Sequence, residues 1–299
     1  MFDLITILGP TATGKTKLAA RLAKDLNGEI ISSDSRQVYK YMNLGTGKDL
    51  DDYFIDGTNI PHHLIDITEP TDEYNLYKFV IDFYSAYNKI NNIGKIPFLV
   101  GGTGLYLSSI IQNYKLKETD FSSARKKELE LFSEPELLDL LNKVEPDQHN
   151  TTDQSDKSRM IKAILIAESK DFALSKDHKP VNSLIIGIKL ERDEIRKRIT
   201  ERLEKRLNEG MLDEIDELLK RGVSYKRLSD FGLEYKYMGL YSEKKINYDE
   251  MFRNLNTAIH RFAKRQMTWF RKMEREGVKI NWFDGKDYNL ILNFIKENY

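Results

Sequence analysis

The chain has 299 residues, 47 basic and 47 acidic side chains, no cysteine and five histidines. About 300 residues suffice for one large α/β domain or for a core with a second module, so a sizeable hydrophobic core needs no disulfide staple. The lack of cysteine excludes disulfides, thiolate catalysis, Fe–S clusters and Cys-rich zinc modules and fits a reducing compartment, while zero net charge, taken as an average, speaks against a polyanion partner.

Leu4 to Leu8 form a short apolar run with β-branched residues, a Gly-rich turn follows, and Leu18, Ala19, Leu22, Ala23 and Leu26 recur at helical spacing, which predicts strand, loop, helix. Further strands are predicted from Glu29 to Asp34, Ile96 to Val100, Leu184 to Leu190 and Val278 to Phe283, the third running into Gly101-Gly102-Thr103-Gly104 and a helix. Apolar strands alternating with amphipathic helices predict an α/β fold, a P-loop NTP-hydrolase-like, mostly parallel sheet flanked by helices. Between 115 and 182 the chain turns charged and helical, punctuated by Pro135, Pro146 and Pro180. With a core strand following it, this stretch reads as an α-helical insertion domain in a core made of residues 1–114 and 183–299. After Glu191 the chain is helical again, with Ile195, Ile199, Leu203 and Leu207 on one face. No run approaches roughly 18 apolar residues. The start carries an acid, Asp3, where a signal peptide carries base, so a cytoplasmic protein without a membrane partner is expected.

Gly9-Pro10-Thr11-Ala12-Thr13-Gly14-Lys15-Thr16 matches G-x-x-x-x-G-K-[ST] in full, between a strand and a helix as that motif requires. Its glycines let backbone N–H groups curl around phosphate oxygens, the helix N-terminus adds positive potential, Lys15 supplies a mobile charge and the Thr16 hydroxyl can hold Mg²⁺. Such a loop specifies a polyphosphate without specifying ATP. Asp34, at the carboxyl end of the second strand, lies where open α/β sheets place their ligand crevice. There it can serve as a general base or cap the segment Ser33-Asp34-Ser35-Arg36, and position alone leaves both open. Gly101 to Gly104 offers backbone N–H groups and a hydroxyl, or simply close helix–strand packing. No acid ends that strand, so the Mg²⁺-holding Asp of hydrolytic P-loop proteins is not evident there.

Neutrality is a cancellation: Arg253 to Lys279 holds eight basic and two acidic residues, a net of +6, whereas Asp49 to Asp82 holds nine acids and one lysine, a net of −8. In the basic segment Ile259, Phe262, Ala263, Trp269, Phe270 and Met273 form an apolar stripe. Arg261, Lys264, Arg265, Thr268, Arg271, Lys272 and Arg275 form a basic one, a solvated face or a track for a phosphate backbone. His62-His63 reads as loop packing or hydrogen bonding, since adjacent side chains point apart in a strand and no further ligand cluster accompanies them.

Gly-Pro-Thr-Ala-Thr-Gly-Lys-Thr, Ile-Ile-Ser-Ser-Asp-Ser-Arg-Gln-Val-Tyr, His-His-Leu-Ile-Asp-Ile, Pro-Phe-Leu-Val-Gly-Gly-Thr-Gly-Leu-Tyr and Ala-Lys-Arg-Gln-Met-Thr-Trp-Phe-Arg follow one another in that order. Together they resemble the tRNA dimethylallyltransferases, or tRNA isopentenyltransferases, of bacterial type, over residues 4 to about 284. The resemblance implies that the phosphate loop binds the diphosphate of dimethylallyl diphosphate with Mg²⁺, and that Asp34 is the base on N6 of the adenine just 3′ of the anticodon. It implies that Ser35, Arg36 and Gln37 touch tRNA, that Thr103 lies near the scissile oxygen and Arg125 beside the channel. Ser158, Arg159, Met160, Ile161 and Lys162, with Lys264, Arg265 and Gln266, would lie against the anticodon stem-loop. A monomer is expected. Ser229 stands where the family carries an Arg in Arg-x-x-Gly-Tyr, and Arg227 or a basic residue of the insertion is the expected substitute. The rival readings are a P-loop kinase of small metabolites or nucleosides, an isopentenyltransferase acting on free adenine nucleotides, and a non-catalytic tRNA-binding module.

Overall fold

The computed structural model describes residues 2–121, 123–144, 156–169 and 179–299; Pro146 lies outside the described residues. The chain divides into two compact units, Met1–Tyr114 with Pro180–Tyr299, and Lys115–Lys179.

In the larger unit, strands β1 (Leu4–Leu8), β2 (Gly28–Ser32), β5 (His62–His63), β6 (Ile96–Gly101), β7 (Ser183–Lys189) and β8 (Asn281–Asp284) form a parallel sheet in the order β5-β2-β6-β1-β7-β8. Ile5, Ile7, Ile30, Phe98, Val100, Leu184, Ile186 and Ile188 join one buried cluster with α1 (Lys15–Asp25) and α12 (Tyr288–Asn298). The residues between them, such as Leu4, Leu8, Ile31, Leu99 and Ile185, are buried too, so both faces are covered, as a parallel sheet demands. Helices α2 (Leu76–Asn92) and α3 (Gly104–Ile111) pack on each other, and α2 also packs on β2 and β6.

Two features escape the sequence reading. A 3-10 turn (Leu50–Tyr53) leads into a small antiparallel hairpin of β3 (Phe54–Ile55) and β4 (Thr58–Asn59). Edge strand β5 pairs only two residues with β2. Elements of two residues carry no periodicity to read.

A second core fills the space among α7 (Arg192–Asn208), α8 (Asp213–Lys220), α9 (Tyr225–Asp230), α10 (Leu233–Ser242) and α11 (Tyr248–Arg275), sealed by Val38, Tyr39 and Met42. Helix α11 starts with a capping box, the Asn247 side chain accepting from Glu250 N while the Glu250 carboxylate accepts from Asn247 N. Such a box stabilises a helix by about 1 kcal/mol. At 28 residues and about 1.5 Å per residue α11 runs for about 42 Å, long enough to reach from the second core to the loops at the end of the sheet.

The smaller unit contains α4 (Ala124–Glu130), α5 (Glu134–Val144) and α6 (Lys157–Glu168). They bury Leu129, Leu137, Leu141, Met160, Ile161, Ile164 and Leu165 in a core of their own.

Candidate active site

The carboxyl ends of parallel strands are where an open α/β sheet leaves room for a ligand. Here the phosphate loop leaves β1, Asp34 follows β2, and Gly101 to Thr103 leave β6. These ends border a cleft of about 380 Å³ lined by Thr11, Ala12, Gly14, Lys15, Thr16, Asp34, Gln37 and Gly101. The far wall is Arg198, Glu201, Arg202 and Lys205 of α7, with Asp49, Asp52 and Tyr53 at the side.

Within the loop the Thr13 hydroxyl donates to the Pro10 carbonyl at 2.9 Å, closing the turn. Gly14 adopts φ 76°, which glycine alone reaches without cost, and α1 begins at the next residue. Ala12 also has positive φ, at 65°; a left-handed non-glycine residue costs about 1 kcal/mol or more and is a strain that ligand sites retain. Gly9 is needed for another reason: a Cβ there would lie 2.6 Å from the Ile188 carbonyl of β7.

Lys15 is half-buried and its ammonium turns back to the Pro10 carbonyl at 3.4 Å. Burial, reinforced by the neighbouring Arg202 guanidinium and partly offset by the Asp34 carboxylate, lowers its pKa to about 8. Arg202 donates to the Thr11 hydroxyl, and burial, with Arg206 beside it, lowers its pKa to about 10. Arg206 is buried beneath Gly47 and pairs with both oxygens of Asp49, at 3.0 and 2.8 Å. Burial and the adjacent Asp49 raise the pKa of Asp52. Two cations, Lys15 and Arg202, therefore converge on the phosphate loop and favour an anionic group at that end of the cleft, while Asp34, Asp49, Asp52 and Glu201 balance the charge elsewhere in its lining.

Asp34 accepts from Arg36 N through Oδ1 at 2.9 Å, so it does cap the turn that follows β2. Thr103 stands just outside the cleft lining, its hydroxyl accepting from Ser35 N at 3.2 Å. Gln37 is held by Gly47 O and Ser32 Oγ, and Arg36 pairs with Glu234 at 2.9 Å over the Phe262 ring. His62 Nδ1 bonds Ile60 O, and His63 Nε2 bonds buried Glu29 at 2.8 Å.

Three sequence expectations need correction. Met160 and Ile161 are buried in the core of the smaller unit, so their side chains pack against α4 and α5, while Ser158, Arg159 and Lys162 face outward. Gln266 is buried as well, and its amide bonds Thr11 N and Gly102 O at 2.9 and 2.8 Å, whereas Lys264 and Arg265 beside it are exposed. Arg227 does not replace the missing family arginine at the cleft: it donates to the carbonyls of Pro70 and Asp72 and lies 4.6 Å from the Phe231 ring. Among the described residues the Ser229 hydroxyl bonds only the Tyr225 carbonyl of its own helix. Arg125, in the smaller unit, is forked onto Glu168 at 2.9 and 2.7 Å and paired with Glu128.

Two arginines of α7, Arg198 and Arg202, do line the cleft, and Arg202 is the one that reaches the phosphate loop; neither is among the residues expected from the sequence. Their signal is the spacing Arg198, Arg202, Arg206, which puts three guanidinium groups on one helix face beside the apolar one.

The cleft offers hard oxygen donors in the Thr16 hydroxyl and the carboxylates of Asp34, Asp49 and Asp52, a set that suits Mg²⁺. Among the described residues no group of three or more His, Cys, Asp or Glu forms a cage for an ion. Mg²⁺ characteristically relies instead on one or two protein ligands plus substrate phosphates and water.

Fold and loop together define a P-loop α/β protein with a cleft at the carboxyl ends of its strands. Two family profiles match the chain, IPP transferase over residues 37–273 and isopentenyl transferase over residues 2–60. It is 46% identical over 301 residues to tRNA dimethylallyltransferase 1 of Syntrophus aciditrophicus, covering 100% of this chain and 99% of the relative. It is 48% identical to tRNA dimethylallyltransferase 2 of Bacteroides fragilis, covering 99% and 97%. Among solved structures it is similar to the tRNA isopentenylpyrophosphate transferase of Bacillus halodurans, at 33% identity and TM-score 0.72 over 99% of this chain and 96% of that one. A eukaryotic dimethylallyltransferase acting on tRNA shares the fold at TM-score 0.76 and 24% identity, over 97% and 75%. The chain belongs to the tRNA dimethylallyltransferase family and is a transferase.

Proposed function

We propose that this enzyme transfers a dimethylallyl group from dimethylallyl diphosphate to N6 of the adenosine 3′-adjacent to the anticodon of tRNA, releasing diphosphate. The observation that carries the reading is that Lys15 and Arg202, suited to a diphosphate, share one cleft with the carboxylate of Asp34. An adenine N6 amine is a weak nucleophile because its lone pair is delocalised into the ring. As N6 bonds to C1 of the allyl group and the C1–O bond to diphosphate breaks, the N6 proton passes to Asp34. Lys15, Arg202 and the loop amides hold the charge that develops on the departing oxygen. Thr16 would hold Mg²⁺, which when bound neutralises part of the diphosphate charge.

Lys264, Arg265, Arg261 and Arg271, exposed along α11, and Ser158, Arg159 and Lys162, exposed on α6, supply positive and polar faces for an RNA backbone. Residues 115–182 would act as the domain for the anticodon arm. The site of action would be the cytoplasm, with a monomer as the acting species. Among the described residues no helix is long and apolar enough to cross a membrane.

Mass spectrometry of an anticodon stem-loop RNA incubated with dimethylallyl diphosphate and Mg²⁺ tests the reading. A gain of one five-carbon unit on adenosine is expected, and no gain with the intact protein refutes it. Movement of γ-phosphate label from ATP to an acceptor would instead favour a kinase.

A further inference from the structure

We infer that Gln266 is a positioning residue that sets the spacing between the phosphate loop and the Gly102–Thr103 loop, and so ties α11 to donor binding; the inference rests on the transfer reading above. Gln266 occupies the apolar stripe of α11, in step with Ile259, Ala263, Phe270 and Met273, where a hydrophobic residue would ordinarily sit. A buried amide is tolerated only when both of its ends are bonded. Both are: Oε1 accepts from Thr11 N at 2.9 Å and Nε2 donates to Gly102 O at 2.8 Å. The two loops leave adjacent strands, β1 and β6, so one side chain spans the gap at the end of the sheet.

Four further contacts show what that span controls. Gly102 has no side chain to give, since a Cβ there would run into the Gln266 amide and come within 3.1 Å of the Gly9 carbonyl. Thr11 is clamped twice, its N–H by Gln266 of α11 and its hydroxyl by Arg202 of α7. The Thr11 N–H is therefore committed to α11, and the remaining amides of the loop are left for phosphate. On the other side, Thr103 follows Gly102 and accepts from Ser35 N, next to Asp34. Trp269, one turn further along α11, donates to Ser108 Oγ at 2.8 Å and covers Gly104, anchoring the helix to α3. Gln266 thus links the loop that would hold the leaving group to the loop beside the base. At 6% exposure it is itself closed to RNA.

The test compares Gln266→Met, close in shape but without hydrogen bonds, and Gln266→Glu. Losing two buried hydrogen bonds on the loop predicts a rise of about tenfold or more in KM for dimethylallyl diphosphate. The Kd for inorganic diphosphate with Mg²⁺, read by calorimetry, should rise in parallel. Affinity for the anticodon stem-loop RNA should stay within about twofold, because no phosphate contact is removed. In Gln266→Glu the carboxyl can donate to Gly102 O only when protonated, so its deficit relative to the unaltered enzyme should shrink as pH is lowered. An unchanged donor KM in folded Gln266→Met, or RNA affinity lost with diphosphate affinity intact, overturns the inference. Should Gln266→Met fail to fold, a Gln266→Glu deficit that stays flat with pH overturns it. An unaltered protein that binds diphosphate in a Gln266-dependent way yet transfers no five-carbon unit would refute the transfer reading and leave the positioning role standing.

Discussion

Replacing Arg202 by methionine should do two opposed things to donor binding, and their pH dependence separates them. Arg202 is a cation on the wall of the cleft that also holds the Thr11 hydroxyl. Charge-assisted hydrogen bonds of this kind contribute about 1.5–3 kcal/mol, so near neutral pH kcat/KM for dimethylallyl diphosphate should fall about tenfold to a hundredfold. Arg202 is also one of the causes that lower the pKa of Lys15 to about 8, burial being the larger. On the proposed transfer, it is the charged form of Lys15 that would bind the diphosphate. In the unaltered enzyme kcat/KM should therefore be fully developed below pH 8 and fall above it, by up to about tenfold per pH unit. Removing the like charge raises the Lys15 pKa, so in Arg202→Met the fall moves to higher pH. It does not move all the way to the ordinary lysine range, because burial remains. The variant should thus lose less, relative to the unaltered enzyme, at pH 9 than at pH 7. A profile of kcat/KM from pH 6 to 10 for both proteins is the assay. An inflection at the same pH in both, or one displaced to lower pH in the variant, refutes the electrostatic coupling.

Asp34→Asn keeps an oxygen for Arg36 N but removes the proposed base; turnover should drop about a hundredfold or more with the melting temperature little changed, read by single-turnover transfer and thermal unfolding. Arg227→Ala should lower stability by about 1–3 kcal/mol, through lost bonds to Pro70 O and Asp72 O and lost stacking on Phe231, while leaving donor KM within about twofold. Denaturant unfolding and steady-state kinetics check the two halves of that statement. Met160→Ala should cost about 2–5 kcal/mol in the core of the smaller unit, visible as early loss of helix on heating. Arg159→Glu with Lys162→Glu should leave stability unchanged, weaken binding of the anticodon stem-loop and flatten its salt dependence.

The sheet was legible because its strands are buried on both faces and read as unbroken apolar runs, and the phosphate loop because its backbone geometry demands glycine at fixed offsets. Helical periodicity separated the inner and outer faces of α11 correctly except at Gln266. There a polar residue looks exposed in sequence, and only the meeting of three elements shows that both ends of its amide are bonded. Met160 and Ile161 sit between exposed Ser158, Arg159 and Lys162, so a block of consecutive residues assigned to one role covers both faces of a helix. Arg227 and Arg202 show the limit of proximity along the chain. The first is near Ser229 in sequence but braces carbonyls of residues 70 and 72, while the second, 27 positions before Ser229, reaches the cleft because α7 crosses it.

Asp34 resolves an ambiguity that the sequence poses as a choice. A carboxylate that caps a turn and one that takes a proton look like alternatives, yet the geometry leaves one oxygen for each role. Oδ1 accepts from Arg36 N, which fixes the side-chain rotamer. Among the described residues Oδ2 takes no hydrogen bond, and Asp34 borders the same cleft as Lys15. A base held by a hydrogen bond from its own turn needs no reorganisation before it meets a nucleophile, and removing that freedom is what positions a catalytic group at low entropic cost. On the proposed transfer the cap would therefore be part of the chemistry: a substitution that frees the turn, such as a proline for Arg36, should slow transfer through loss of Asp34 orientation even with the carboxylate still in place. Direct loss of the Arg36–Glu234 pair is separated from this by Arg36→Ala, which keeps the backbone N–H and should retain the orientation.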